Sequence, residues 1–209
     1  TTLGGIDLGI PPELATLLAQ TAEFNRDVRE YGARIARSGR PLASPAMGPV
    51  PDALRYLDRL FTASDWLAVH FRRCSTRALM ARFALWALMA FLLLAFRKTP
   101  EGVFGFVNIV AVLFVFGLGW LLALWARRRG WDRRYLDYRA LAEGLRVDFY
   151  WALAGVRMRF DDAFAHETFL QKQDARIEWI RTALRTVTLR CALHEPAALP
   201  NGFEHALTA

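Results

Sequence analysis

Apolar positions fall into three patterns along the chain. Leu17, Thr21, Phe24, Val28, Tyr31 and Ile35 recur at steps of four and three, one face of a helix running from Pro11 to about Arg37. Pro11 and Pro12 suit its first turn, and Glu13 suits the positive end of its dipole. Two nearly uninterrupted apolar runs then follow, Ala78 to Phe96 and Val103 to Ala126. After them the helical period returns: Tyr135, Tyr138, Ala142, Leu145, Phe149, Ala152 and Val156 form a heptad seam. Leu136, Val147, Tyr150 and Trp151 cover a second side of that helix, which predicts two packing neighbours. A last helix from about Phe169 carries Ile177, Ile180, Leu184, Val187 and Cys191 and stops near Pro196, with Asp161 or Asp162 capping a short element before it. No β pattern, internal repeat or glycine-rich phosphate loop appears.

The two long runs predict membrane spans. At 1.5 Å per residue they reach about 28 Å and about 36 Å against a hydrocarbon core of ~30 Å, so the second tilts. Only Arg82 interrupts the first, one turn inside, where its side chain reaches back to the headgroups. In the second, Asn108 and the indoles of Trp120 and Trp125 are the uncharged hydrogen-bonding side chains. Two buried helices of a soluble core fit poorly, because too little of the chain remains to wrap them. The link at 97–102 contains Pro100 and Gly102 and reverses the chain, giving a hairpin. Neither run is a signal peptide, since both lie far from the start.

The stretch "SGRPLASPAMGPVP" (38–51) holds four of the nine prolines and reads as a linker. Asp52 is expected to cap a second helix that carries Leu57, Leu60 and Leu67 and continues unbroken into the first span. The organisation expected is therefore an N-terminal cytoplasmic helix with its linker (1–51), a helix leading into the membrane (52–77), the hairpin (78–127) and C-terminal cytoplasmic helices (128–209). The fold class is all-α, a two-helix transmembrane hairpin with long cytoplasmic helices forming a bundle, in an oligomer. The heptads fit coiled coils between chains and a bundle within one chain equally well. The first residue is Thr1, which suggests a processed chain or part of a longer polypeptide.

Composition sharpens this picture: the 209 residues are 54% hydrophobic and 13% aromatic, with a mean hydropathy of +0.17. The net charge of +7 raises nucleic acid as a partner, but the positive charge lies beside the runs. Arg72, Arg73, Arg77 and Arg82 stand at one flank, Arg97 and Lys98 in the link, and Arg127, Arg128, Arg129, Arg133 and Arg134 at the other flank. These clusters together exceed the whole chain's net charge, so no basic face is left for nucleic acid. The flanks outnumber the link in basic residues, placing both termini in the cytoplasm and the link outside.

Catalytic chemistry is missing. Cys74 and Cys191 have no metal spacing, and His70, His166, His194 and His205 are scattered. Neither a nucleophile–base constellation nor a cofactor motif appears, so the chain reads as non-enzymatic. Asp65 and Glu143 are acids on otherwise apolar helices; Arg139 stands four residues before Glu143 and Arg146 three after, which lets one carboxylate bridge two guanidinium groups. Within the spans, Gly119 and Ala123 form a small-xxx-small pair with Gly117 adjacent. Such a face serves either the hairpin itself or several hairpins around an axis.

The segments "YLDYRALAEGLRVDFYWALAG" (Tyr135–Gly155) and "FLQKQDARIEWIRTALR" (Phe169–Arg185), after a hairpin preceded by "EFNRD" and "TASDWLAVHFRR", carry a resemblance. Over residues 14 to 190 the chain resembles the SLATT-type two-transmembrane effector modules of prokaryotes, which associate with SMODS nucleotidyltransferases and SLOG sensor domains. The resemblance implies a role in bacterial antiphage defence. An inner-membrane assembly would form or gate a pore or lesion when a nucleotide-sensing SLOG-like domain, fused or in trans, detects its signal. It implies no cofactor, and no SLOG-like domain occurs within these residues. On that reading Asn108, Gly117, Gly119 and Ala123 serve the pore and helix packing, with Asn108 the polar exception in a hydrophobic constriction. Arg139, Glu143, Arg146 and Arg181 serve the coupling bundle. The rival reading is a non-conducting membrane anchor and oligomerisation scaffold for a sensor or enzyme.

Overall fold

The computed structural model describes residues 12–44, 50–96, 103–154 and 178–194. Five helices account for nearly all of them, with no strand among the described residues: α1 (Pro12–Ser38), α2 (Asp52–Phe96), α3 (Val103–Arg129), α4 (Trp131–Leu153) and α5 (Glu178–His194). The predicted link at 97–102, the caps Asp161 and Asp162, and the start of the last helix at Phe169 lie outside the described residues.

The chain divides into two compact units, Thr1–Leu67 with Asp137–Ala209, and Ala68–Leu136. In the first, α1 buries the predicted face at Phe24 and adds an unexpected member, Asp27. From α2 come Leu54, Leu57, Phe61 and Leu67, from α4 Tyr138, Leu141, Ala142, Leu145, Phe149 and Leu153, and from α5 Trp179, Ile180 and Val187. The α4 seam at Tyr138, Ala142, Leu145 and Phe149 is thus core, and the bundle forms within one chain. Its second apolar side departs from expectation: Val147, Tyr150 and Trp151 are exposed, so one neighbour set covers one side only.

Helix α2 is unbroken for 45 residues, as its sequence predicts, and spans about 68 Å. Its start differs in one detail. The first helical hydrogen bond runs from the Arg55 amide to the Pro51 carbonyl, so Pro51 is the cap and Asp52 the first residue inside. Asp52 instead pairs with Arg55 at 2.7 Å and places its charge at the positive dipole end. Among the described linker residues, the Leu42 amide donates to Asp58 Oδ1 at 2.6 Å and the Val50 carbonyl accepts Arg55 Nε at 3.0 Å. A close approach marks the end of α1, because a Cβ on Gly39 would run into the Thr62 methyl group and the Ile35 carbonyl oxygen.

The second unit contains the C-terminal part of α2, all of α3 and the start of α4 as far as Leu136. Between α3 and α4 stands Gly130 with φ of 60°, a left-handed backbone that glycine adopts without Cβ strain. This break at "RRRGWD" ends the apolar helix and restarts the chain with Asp132 in the first turn of α4.

Candidate functional site

Helices α2 and α3 are both long and apolar enough to cross a membrane. Burial distinguishes them from core helices. None of the most apolar 18-residue stretch of α2 is buried, and only 11% of that in the second apolar helix. Phe91 is 66% exposed, Phe114 70% and Trp120 62%. Large apolar side chains of this kind recur along the C-terminal part of α2 and along α3, and contiguous exposed apolar surface marks a site that something else covers.

Asn108 lies at the seam of this hairpin. Its Nδ2 donates to the Leu92 carbonyl at 3.2 Å, sixteen residues back on the partner helix, while its Oδ1 is buried with no hydrogen-bond partner among the described residues. Such a bond between the two helices ties Asn108 to one position along α2 and so sets the register of α3 against it. The small residues behave differently: a Cβ added at Gly117 or Gly119 would meet nothing within 4 Å. Gly119 is buried and Gly117 half-buried, but neither is a site of backbone-to-backbone close approach. Ala123 lines a cavity of about 130 Å³ at the arginine-rich end, with Ser75, Arg82 and Asp132 among its other walls. At that end the Ser75 hydroxyl donates to the Asp132 carboxylate, and the guanidinium of Arg129 lies 5.5 Å over the Trp125 ring.

In the first unit the spacing around Glu143 produces the expected bridge. Glu143 accepts Arg139 Nη2 at one carboxylate oxygen and lies 3.2 Å from Arg146 Nη1 at the other. Asp65, read from sequence as a separate acid, joins the same chain: Arg139 Nη1 lies 3.1 Å from its Oδ1, tying α4 to α2. The Arg146 guanidinium also sits 5.3 Å over the Phe61 ring. Glu143 and Arg139 are each 42% exposed in their side chains, so these pairs specify which helices meet more than they stabilise them. Arg181 is half-buried on α5.

No family model, curated protein or solved structure matches this chain. The likeness to SLATT-type modules therefore rests on the segments quoted above.

Two polar groups in the first unit carry no periodic signal in the sequence. The carboxylate of Asp27, 1% exposed, accepts the Tyr138 hydroxyl at 2.7 Å, and the Tyr138 ring packs edge-on against those of Phe24 and Trp179. Asp148 faces α5, where Thr188 Oγ1 donates to its Oδ2 at 3.3 Å. Burial pushes the Asp148 carboxyl up from 3.8 to about 6, against the smaller opposing pull of the Thr188 hydrogen bond. Among the described residues no group of three or more His, Cys, Asp or Glu side chains is placed to hold a metal.

Asp148 gives this unit a pH dependence of defined sign. The folded state binds the proton more tightly than the unfolded state, so stability falls as pH rises from about 4 to about 6. The ionised carboxylate then costs up to about 3 kcal/mol at neutral pH. Asp148→Asn, which keeps an acceptor for Thr188, is expected to raise the melting temperature at pH 7.5 by several degrees and leave it unchanged at pH 4. Equal melting temperatures at pH 7.5 would contradict this origin.

Proposed function

We propose that the chain is a two-pass effector of a bacterial inner membrane whose hairpins self-associate and form or gate a pore. The observation that carries the reading is the exposed hydrocarbon surface of α2 and α3, which water does not tolerate and lipid does. Arginines crowd the ends of the hairpin joined to the first unit, and by the positive-inside rule both termini are cytoplasmic. Gly117, half-buried and with open space where a side chain would stand, offers a point of close approach for a second copy. The resemblance to SLATT-type modules supplies the trigger, a nucleotide-sensing SLOG-like domain fused or in trans, and the setting, antiphage defence. The chain performs no catalysis on this reading.

One observation favours the second reading, a non-conducting anchor and scaffold. The Asn108 Nδ2 is engaged by the Leu92 carbonyl, so beyond Arg82 near its end the hairpin offers an almost wholly apolar lining. Such a lining conducts only when wetted. Proteoliposomes loaded with potassium and a small dye decide between the two. Release above that of empty liposomes, lost in Gly117→Leu together with the oligomer, is expected for the pore. Assemblies that stay tight to both solutes would overturn conduction and leave the scaffold.

A further inference from the structure

The cavity at the arginine-rich end of the hairpin has the chemistry of a lipid site. Its walls are Ala78, Leu79, Leu122, Ala123 and Ala126 on the apolar side, with Ser75, Arg82, Trp131 and Asp132 at the polar end. About 130 Å³ is far above the ~10–15 Å³ that holds one water. Arg82 is the sole cation in the lining. Its guanidinium lies 5.3 Å over the Trp86 ring, which holds it in place. Its Nε is buried with no hydrogen-bond partner, and among the described residues no carboxylate pairs with it. A guanidinium one turn inside a span must find an anion or water. The acid nearby, Asp132, is occupied by the Ser75 hydroxyl and stands at the N-terminal end of α4.

Resting on the membrane reading above, we propose that this cavity binds the phosphodiester of an anionic glycerophospholipid, with Arg82 as the phosphate ligand. The planar guanidinium meets two phosphate oxygens at once and satisfies the orphaned donor. The five apolar walls receive the glycerol backbone and the first acyl carbons, which a free phosphate would leave empty. Trp131 sits at headgroup depth, where indoles concentrate. Arg72, Arg73 and Arg77 before the span and Arg127, Arg128 and Arg129 after it add a field that selects an anionic headgroup over a zwitterionic one.

The full chain in nanodiscs of phosphatidylcholine doped with phosphatidylglycerol tests the site, with retained lipids counted by native mass spectrometry. Wild type is expected to keep phosphatidylglycerol about tenfold over phosphatidylcholine, a preference that Arg82→Gln abolishes. Arg82→Lys keeps the charge without the fork and is expected to retain part of the preference; it carries the readout if Arg82→Gln fails to incorporate. Arg59→Gln, on the cytoplasmic part of α2, is expected to leave the preference unchanged. Glycerol phosphate added in excess is expected not to displace the lipid, and displacement would make this a site for free phosphate. Equal preference in wild type and both Arg82 variants would overturn the site alone. A chain that never enters the nanodiscs would sink the membrane reading and this site with it.

Discussion

Phe149→Ala is expected to cost the first unit about 3–5 kcal/mol. Phe149 is completely buried on α4, between Leu145 and Leu153 on the same face. Truncation removes the ring's transfer free energy and leaves a cavity that rigid helices close only in part. Against a domain stability of about 5–15 kcal/mol, that is a large fraction. Loss of the near-ultraviolet signal and rapid proteolysis at ambient temperature are the expected signs. Leu18→Ala on α1, where the side chain is 51% exposed, is expected to change stability by less than about 0.5 kcal/mol. Similar losses in the two variants would mean that Phe149 is not core.

Tyr138→Phe is the second substitution with a large expected effect, although it deletes one atom. The hydroxyl donates to a carboxylate that is almost wholly removed from solvent. A hydrogen bond to a buried charge contributes about 1.5–3 kcal/mol, and its loss leaves Asp27 with less compensation for its desolvation. Replacing both partners by apolar groups removes the charge as well. Tyr138→Phe with Asp27→Leu is therefore expected to be more stable than Tyr138→Phe alone. Strict additivity of the two single losses, measured by chemical denaturation in detergent, would show that the pair does not interact.

What the sequence revealed and what it concealed follow from the range of the interactions. The α1 face, the unbroken α2 and the Glu143 bridge are local, set by steps of three and four residues, and each is visible in the structure. The apolar runs are legible because length and composition alone mark helices long and apolar enough to cross a membrane. The Asp27–Tyr138 pair joins residues 111 apart, and nothing periodic connects an acid on α1 to a tyrosine on α4. Asp65 was visible as an unusual acid, but its partner Arg139 lies 74 residues away. Asn108 was legible as the polar exception in its span, though its direction was not: it turns to Leu92 and fixes the hairpin. The break at Gly130 is hard to see in the sequence because a single glycine after three arginines carries a weak signal, whereas its positive φ is plain in the structure. The second side of α4 was read as buried from its apolarity alone, and it is exposed within one chain.

The account stands on lipid around α2 and α3, and chemical labelling in intact cells tests that most directly. With Cys74 and Cys191 replaced by serine, Thr99→Cys sits in the link, outside the described residues, and Arg40→Cys lies just after α1. A membrane-impermeant maleimide is expected to label Thr99→Cys from outside and Arg40→Cys only after permeabilisation. Labelling of neither site before permeabilisation, in a chain recovered from the soluble fraction without detergent, would contradict it.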